Sequence, residues 1–526
     1  MKGSIAAGLK LAISGVLFSL LLTAGVNAEA LRIGSAVEPK SMDPQLTALG
    51  SDLGYYRHVY NALVEADESL RPQPGLAESW TVIDDTTYEF KLREGVRFHD
   101  GSAFDAEDVL YSFERLPTVP DGDGLTAAKL KSVSEIEVID PHLIRIHTST
   151  PDSGVLRALG QFFILPKELG EVATEDFNSG DAVIGTGPFK FDEWRRGDFL
   201  RFSRNPDYWG EAPQFDDVEF KMLSNSASRV AALRAGDVDL IDYVPPLDAL
   251  RIKQDSDLNL FTIPAGRTIL LLLDAKRDMT PHVFDKAGNP LKENPFKDKR
   301  VREAISKSID RNLIVDKVMD GLAAPASQPM PVGFGGYADD LKVPESDVEA
   351  ARALMAEAGY PEGFKMTLNC TSGRYINDTE VCQAIAQMVS RIGIEANVDA
   401  LPPSAYFPEY KNAAFSAYIL GWGNSSGDAS SILTSVGHSA DKTSGRGSWN
   451  HHYESAELDA LIEQGLGTVD DEKREALYAD AMRKIMEDVA MIPLHAQLVL
   501  VATQKNLEYR PTANEWTLAQ NVSLAE

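Results

Sequence analysis

The sequence predicts an α/β protein of more than one lobe, with mixed β-sheets flanked by helices. Strand-like alternation and helix-like 3.6-residue periodicity interleave along the chain without repeats or low-complexity tracts, the pattern of layered α/β architecture. Its 526 residues exceed what one hydrophobic core usually serves, roughly 250–300 residues. The composition is that of a folded, acidic protein: 44% hydrophobic, 25% charged, with a formal net charge of −28.

The first element, MKGSIAAGLKLAISGVLFSLLLTAGVNA (1–28), reads as a secretory signal: Lys2 and Lys10 open it, an apolar core runs over 11–24, and Val26-Asn27-Ala28 form a small-residue cleavage motif. The core is too short for a stable anchor, and no later apolar run approaches the roughly 20 residues a spanning helix needs. No direct membrane insertion is expected. Cleavage near Ala28 removes two lysines and no acids, taking the net charge from −28 to −30. Such a surface repels nucleic acid and anionic lipid. The only cysteines are Cys370 and Cys382, far from the cleavage site, so no lipidated N-terminal cysteine is expected. Export without a lipid points to a bacterial periplasm.

In TTYEFKLREGVRFHDG, Tyr88, Phe90 and Leu92 alternate with polar neighbours as a half-buried strand turning at Glu94-Gly95. DAEDVLYSFERL then places Val109, Leu110 and Phe113 on one helical face, with Asp105 as N-cap. A hairpin is expected from Phe189 to Phe202 about Gly197. VREAISKSIDRNLIVDKVMDG reads as a packing helix stopping at Gly321. Ser346-x-x-Glu349 and Asn377-x-x-Glu380 read as a capping box and its asparagine analogue. Cys370 ends a strand and Cys382 sits early in the next helix, so an oxidising compartment favours a disulfide between them.

The chemistry-bearing signals are few. Gly423, Ser425 and Gly427 fit G-x-S-x-G, the hydrolase nucleophile elbow, but one such match is only mildly surprising in a chain with 39 glycines. None of the downstream histidines, His438, His451, His452 and His495, is distinguished by its neighbours. A secreted serine hydrolase using Ser425 is the remote alternative. No metal site is expected, since H-E-x-x-H and C-x-x-C are absent and His451-His452 reads as a surface pair in a polar loop. No Walker or Rossmann phosphate loop is present, and no cofactor or catalytic residue is expected. What stands out instead is aromatic residues in glycine-rich polar loops: Trp422 in GWGN, Trp449-Asn450 in SWNHHY, and Arg374-Tyr375 in TSGRYIND. An aromatic platform with a few polar groups is how small-molecule clefts are lined.

The run LRPQPGLAESWTVIDDTTYEFKLREGVRFHDGSAFDAEDVLYSFER (70–115) is similar to the signature of the bacterial extracellular solute-binding proteins of family 5, the dipeptide-, oligopeptide- and nickel-binding group of ABC importers. The resemblance continues through GTGPFKF, NPDYWG, ALRAGDVDL, NPFKDKRVREAISKSIDR, ARALMAEAGYPEGF, SRIGIEANV and SAELDALI, in family order.

It implies a type II periplasmic binding protein fold: two lobes closing on a ligand, with an extra domain. Domain I would comprise 29–60, 185–265 and 500–526, domain II 61–184, and domain III 266–499. GRTILLLLDAK would be a crossing between lobes and GTGPFKF the return crossing. The function implied is capture of a peptide or other small solute and delivery to a permease of two membrane subunits with two cytoplasmic ATPases, by a monomer that makes and breaks no bond. In peptide-binding members an aspartate pairs with the ligand's α-amino group; here Ser425 takes its position and Asp428 falls on the next acid. A carboxylate-binding arginine of dipeptide binders lies one position from Arg374. The candidate ligand contacts are therefore Trp422, Ser425, Asp428, Arg374, Tyr375, Trp449, Asn450 and Glu38. Peptides come first as ligands; opines, glycosides, glutathione-like conjugates and chelated metals are the alternatives.

Overall fold

The computed structural model describes residues 30–47, 50–67, 70–119, 125–424 and 426–525. The expected export signal (1–28) and Ser425 lie outside the described residues.

Two antiparallel strands, Leu258–Leu273 and Ile492–Gln504, form the spine. They belong to a 12-stranded mixed sheet that runs through both lobes. On one side it continues through Leu240–Ile241, Leu31–Ser35, Asp217–Met222 and the hairpin Phe199–Arg204 with Phe189–Arg195. On the other it continues through Ala417–Gly423, Lys365–Thr371 and Val283–Phe284, with Glu395–Leu401 pairing in parallel to Lys365–Thr371. The spine's ladder slips midway. Pro264 pairs with Leu498 and Thr268 with Ala496, so Ala265, Gly266 and Arg267 together face the single residue Gln497. Pro264 has no N–H for the ladder, which favours a bulge at this point.

A separate antiparallel sheet, Ala77–Asp84, Thr87–Leu92, Leu143–Thr148 and Val133–Asp140, carries its own core, including Phe90, Val109, Ile144 and Phe162. Two further cores lie in the N-terminal part of the large sheet and two beyond Gly266. Among the described residues, no helix is long and apolar enough to cross a membrane.

Local signals account for several elements. Asp105 accepts from Glu107 N at 2.9 Å, and Asp108 accepts in return from Asp105 N at 2.8 Å, closing a reciprocal cap on the helix Ala106–Arg115. The expected hairpin turns at Gly197, with φ of 74°. Three expectations need correction. Residues 301–321 form two helices, Lys299–Ser308 and Arg311–Lys317, because Ile309 is extended and Asp310 caps the second by accepting from Leu313 N. The cap on Val348–Glu357 is Asp347, accepting from Ala350 N, and not Ser346. Asn377 is left-handed at φ 52° and makes no side-chain cap; its amide donates to Val318 O instead.

Candidate functional site

Where the spine's ladder slips, the lobes enclose a cavity of about 420 Å³, adjoined by a second of about 330 Å³. Tyr243, Arg267, Arg374, Tyr375 and Glu515 line both, making one continuous cleft. Its far wall is aromatic. Trp422 stands on Ala417–Gly423, next to Thr268 of the spine, and meets Trp449 edge to face at 5.9 Å between centroids. Trp449 is held in turn by stacking on Tyr410 at 5.2 Å and by Phe407 at 6.1 Å. Trp422 Nε1 donates to Ser431 Oγ at 3.2 Å, which fixes the indole's polar edge while the ring lines the cavity.

The Arg374 side is built by a residue that sequence reasoning passed over. The Asp378 carboxylate accepts from Gly373 N (3.1 Å), Arg374 N (2.9 Å), Tyr375 N (3.1 Å) and Thr371 Oγ1 (2.8 Å). With Thr379 N at 3.0 Å, five donors on one buried carboxylate fix the loop and leave the Arg374 side chain to reach the cleft. Its guanidinium lies 5.4 Å from the Tyr375 ring centroid. Tyr375 donates to Gly421 O at 3.3 Å, and burial pushes its hydroxyl above the usual phenol range, against the opposing pull of Arg374 and Arg267. Tyr243 and Glu515, also missed, both hold left-handed backbone, φ 45° and 65°. Non-glycine residues in that region are strained, and such strain clusters at binding sites. Arg267, Tyr243 and Glu515 carry no periodicity or motif that would have flagged them; the quoted crossing strand around Arg267 was the nearest signal.

Of the expected contacts, Trp422, Trp449, Arg374 and Tyr375 line the cleft. Asp428, Asn450 and Glu38 do not. Asp428 is 2% exposed and turned away, paired with Arg157 at 3.2 Å, while its Oδ1 accepts from Ser426 Oγ and Ser430 N at 3.1 Å each. Neighbouring Gly427 explains the local glycine: with φ of 76°, a Cβ there would lie 2.3 Å from Leu70 O, so it admits protein backbone and not ligand. Asn450 is buried as a loop organiser, donating to His438 O at 2.8 Å and accepting from His452 N and Tyr453 N at 3.1 Å. Glu38 accepts from Trp194 Nε1 (3.0 Å) and Gly197 N (2.9 Å), on the hairpin. His451-His452 is no surface pair: His452 is buried, and burial holds it neutral with its pKa lowered to about 3. None of the histidines that a Ser425 nucleophile would need lines the cleft. Cys370 and Cys382 are joined, tying the end of Lys365–Thr371 to the helix Asp378–Ser390 just behind Arg374.

Residues 71–444 match the family described as bacterial extracellular solute-binding proteins, family 5 Middle. The chain belongs to this family. It is 27% identical to the dipeptide-binding protein of Escherichia coli, over 92% of this chain and 91% of that one. It is 26% identical to the glutathione-binding protein GsiB of Shigella dysenteriae, over 94% of each. Among solved structures it is similar to the periplasmic binding protein AgaA of A. tumefaciens R10 in complex with agropinic acid, with a TM-score of 0.67 and 26% identity, covering 95% of this chain and 99% of that one. The fold is thus that of type II periplasmic binding proteins, with the cleft described above lying between the lobes.

Proposed function

We propose that this protein is the solute-capturing subunit of an ABC importer, exported to the periplasm by cleavage near Ala28, and that its solute is a peptide or peptide-like molecule. The observation that carries the reading is the Arg374 guanidinium, which makes no hydrogen bond to the described residues and stands beside Tyr375, Trp422 and Trp449 in a cleft of about 420 Å³. A free fork of donors is suited to a terminal carboxylate, and the indole faces to the body of the ligand. Ligand drives closure of the lobes only as far as it binds the closed form better than the open one. The closed monomer then docks on a permease of two membrane subunits with two cytoplasmic ATPases, and no bond is made or broken.

A second reading, a non-peptide acid such as an opine, is favoured by Asp428. Its carboxylate is committed to Arg157 and lies outside the cleft, so the acid that falls beside the ammonium-binding position of peptide-binding members is not there to meet a peptide's ammonium group, and Glu515 is the one acid that lines the main cavity among the described residues. Mass spectrometry of the solute that co-purifies in the cleft, followed by thermal shift with the same compound, separates the two. Peptides that neither co-purify nor raise the melting temperature, while another acid does both, would reject the first. A Ser425→Ala variant addresses the remote hydrolase alternative: catalysis by that serine requires turnover that disappears, whereas a carrier has none to lose.

A further inference from the structure

Among the described residues, three cations line the main cavity, Lys129, Arg267 and Arg374, against one acid, Glu515. This local excess of positive charge sits in a chain of net charge −28, so an anionic solute meets cations in the main cavity although the chain as a whole is acidic. The two arginines are also uncommitted. Arg267 approaches Glu515 only to 3.9 Å, beyond hydrogen-bond range, and neither guanidinium makes a hydrogen bond to any described residue. Elsewhere the fold does not leave sheltered guanidinium groups idle. Arg311 donates to Pro493 O, Ser306 O and Ser306 Oγ, and Arg302 to the carbonyls of Phe296, Val489 and Asp488.

The two idle groups serve one space. Both line both cavities, and both act electrostatically on the single hydroxyl of Tyr375. Arg267 is held at the bulge of the spine and Arg374 by the Asp378-braced loop, so they come to the ligand from different elements. Deep in the adjoining cavity, the Asp242 carboxylate is committed to the protein: it faces Arg229 at 3.8 Å, which offsets its charge, and accepts from Ala36 N (2.8 Å), Ser35 Oγ (3.1 Å) and Thr517 Oγ1 (3.4 Å).

We infer that the cleft takes a dicarboxylate solute, with one carboxylate on Arg374 and a second on Arg267, Glu515 yielding its loose contact as the ligand enters. This rests on the solute-capture reading and narrows its substrate class to small molecules with two carboxylates, an acidic dipeptide being the simplest.

The test is isothermal titration of the mature protein with Ala-Glu and Ala-Gln, which differ by one charge at nearly constant shape, within a thermal-shift panel that also holds glutathione, Ala-Ala, succinate, glucose and a nickel–histidine chelate. Expected are hits concentrated among the dicarboxylates, Ala-Glu, glutathione and succinate, and at least a tenfold preference for Ala-Glu over Ala-Gln, about 1.4 kcal/mol, at low salt. Arg267→Gln should abolish that preference while leaving the melting temperature of the unliganded protein unchanged. A solute with one carboxylate or none, bound as tightly as any dicarboxylate, overturns the inference and leaves solute capture standing. A preference that survives Arg267→Gln overturns the assignment of the second carboxylate. Silence across the whole panel overturns the inference, and the capture reading beneath it falls separately if no solute co-purifies with the protein.

Discussion

Replacing Asp428 by alanine should destabilise the protein by about 3–5 kcal/mol while leaving the cleft's chemistry intact. Its carboxylate pairs with Arg157 at 3.2 Å, and the two side chains are 2% and 8% exposed. Breaking a buried pair on one side leaves the other charge unpaired in a low-dielectric setting, which is where that magnitude comes from. The change also deprives Ser430 N and Ser426 Oγ of their acceptor, so the lower end of the range is a floor. Arg157 lies on the helix Val155–Leu159, packed with the separate antiparallel sheet, and Asp428 in the loop after Ala417–Gly423, so the pair staples two cores together. Urea unfolding followed by tryptophan fluorescence measures the loss. A double variant, Arg157→Met with Asp428→Leu, removes both charges and should recover most of it, giving strongly non-additive energies in the cycle. The reasoning is refuted if Asp428→Ala stays within about 0.5 kcal/mol of the parent, the range of ordinary surface changes, or if the two single effects simply add. A stable Asp428→Ala protein that has lost its solute would instead return Asp428 to the ligand.

Other expectations are more quickly stated. Reducing the Cys370–Cys382 bridge, whose partners are 12 residues apart, should lower stability by about 3 kcal/mol in the chain-entropy model, seen as a lower denaturation midpoint with dithiothreitol. Gly185→Ala should prevent folding or cost several kcal/mol, because a Cβ there would lie 2.1 Å from Val59 O; soluble yield and melting temperature report it. Acid should destabilise the fold between about pH 6.5 and pH 4. Burial lowers His58 and His495 to about 4 and His452 to about 3, so the unfolded chain binds protons first and stability present above pH 6.5 is lost on the way down, on the order of 3 kcal/mol for each fully buried ring. Asp108 and Asp242, raised to about 6 by burial, act in the opposite sense and soften the fall; a pH series of urea midpoints gives the net slope.

Residues whose roles depend on local pattern were legible in advance. Asp105 caps its helix, Gly197 turns its hairpin and Cys370 meets Cys382 because each outcome is decided within a dozen residues or so. Trp422, Trp449, Arg374 and Tyr375 were visible as aromatic or cationic residues in glycine-rich loops, although nothing local said that they would share one cavity. What could not be read is whatever depends on a distant partner. Asp428 looked like an available acid because Arg157, which neutralises it, lies 271 positions earlier. Glu38 lies away from the cleft for the same reason, its carboxylate being taken by Trp194, 156 positions on, whereas Asn450 is held by the nearer His438 loop. Arg267 and Glu515 sat in segments that read as plain strand and tail, and only the fold sets them 3.9 Å apart. The break of residues 301–321 at Ile309 was missed because periodicity runs unbroken through a corner that Asp310 recaps.

The slipped ladder between Pro264 and Thr268 gives the ligand unusual mechanical leverage. Were the proposed closure to turn about the spine, points would move in proportion to their distance from it. A solute held at Arg267, on the spine itself, would then act close to the axis, and a small adjustment of its contacts there would be multiplied into a wide sweep at the outer rims. Short arms demand large forces. Charge meeting charge is one of the few contacts stiff enough to supply them, while the aromatic wall, one step further out, needs only to follow.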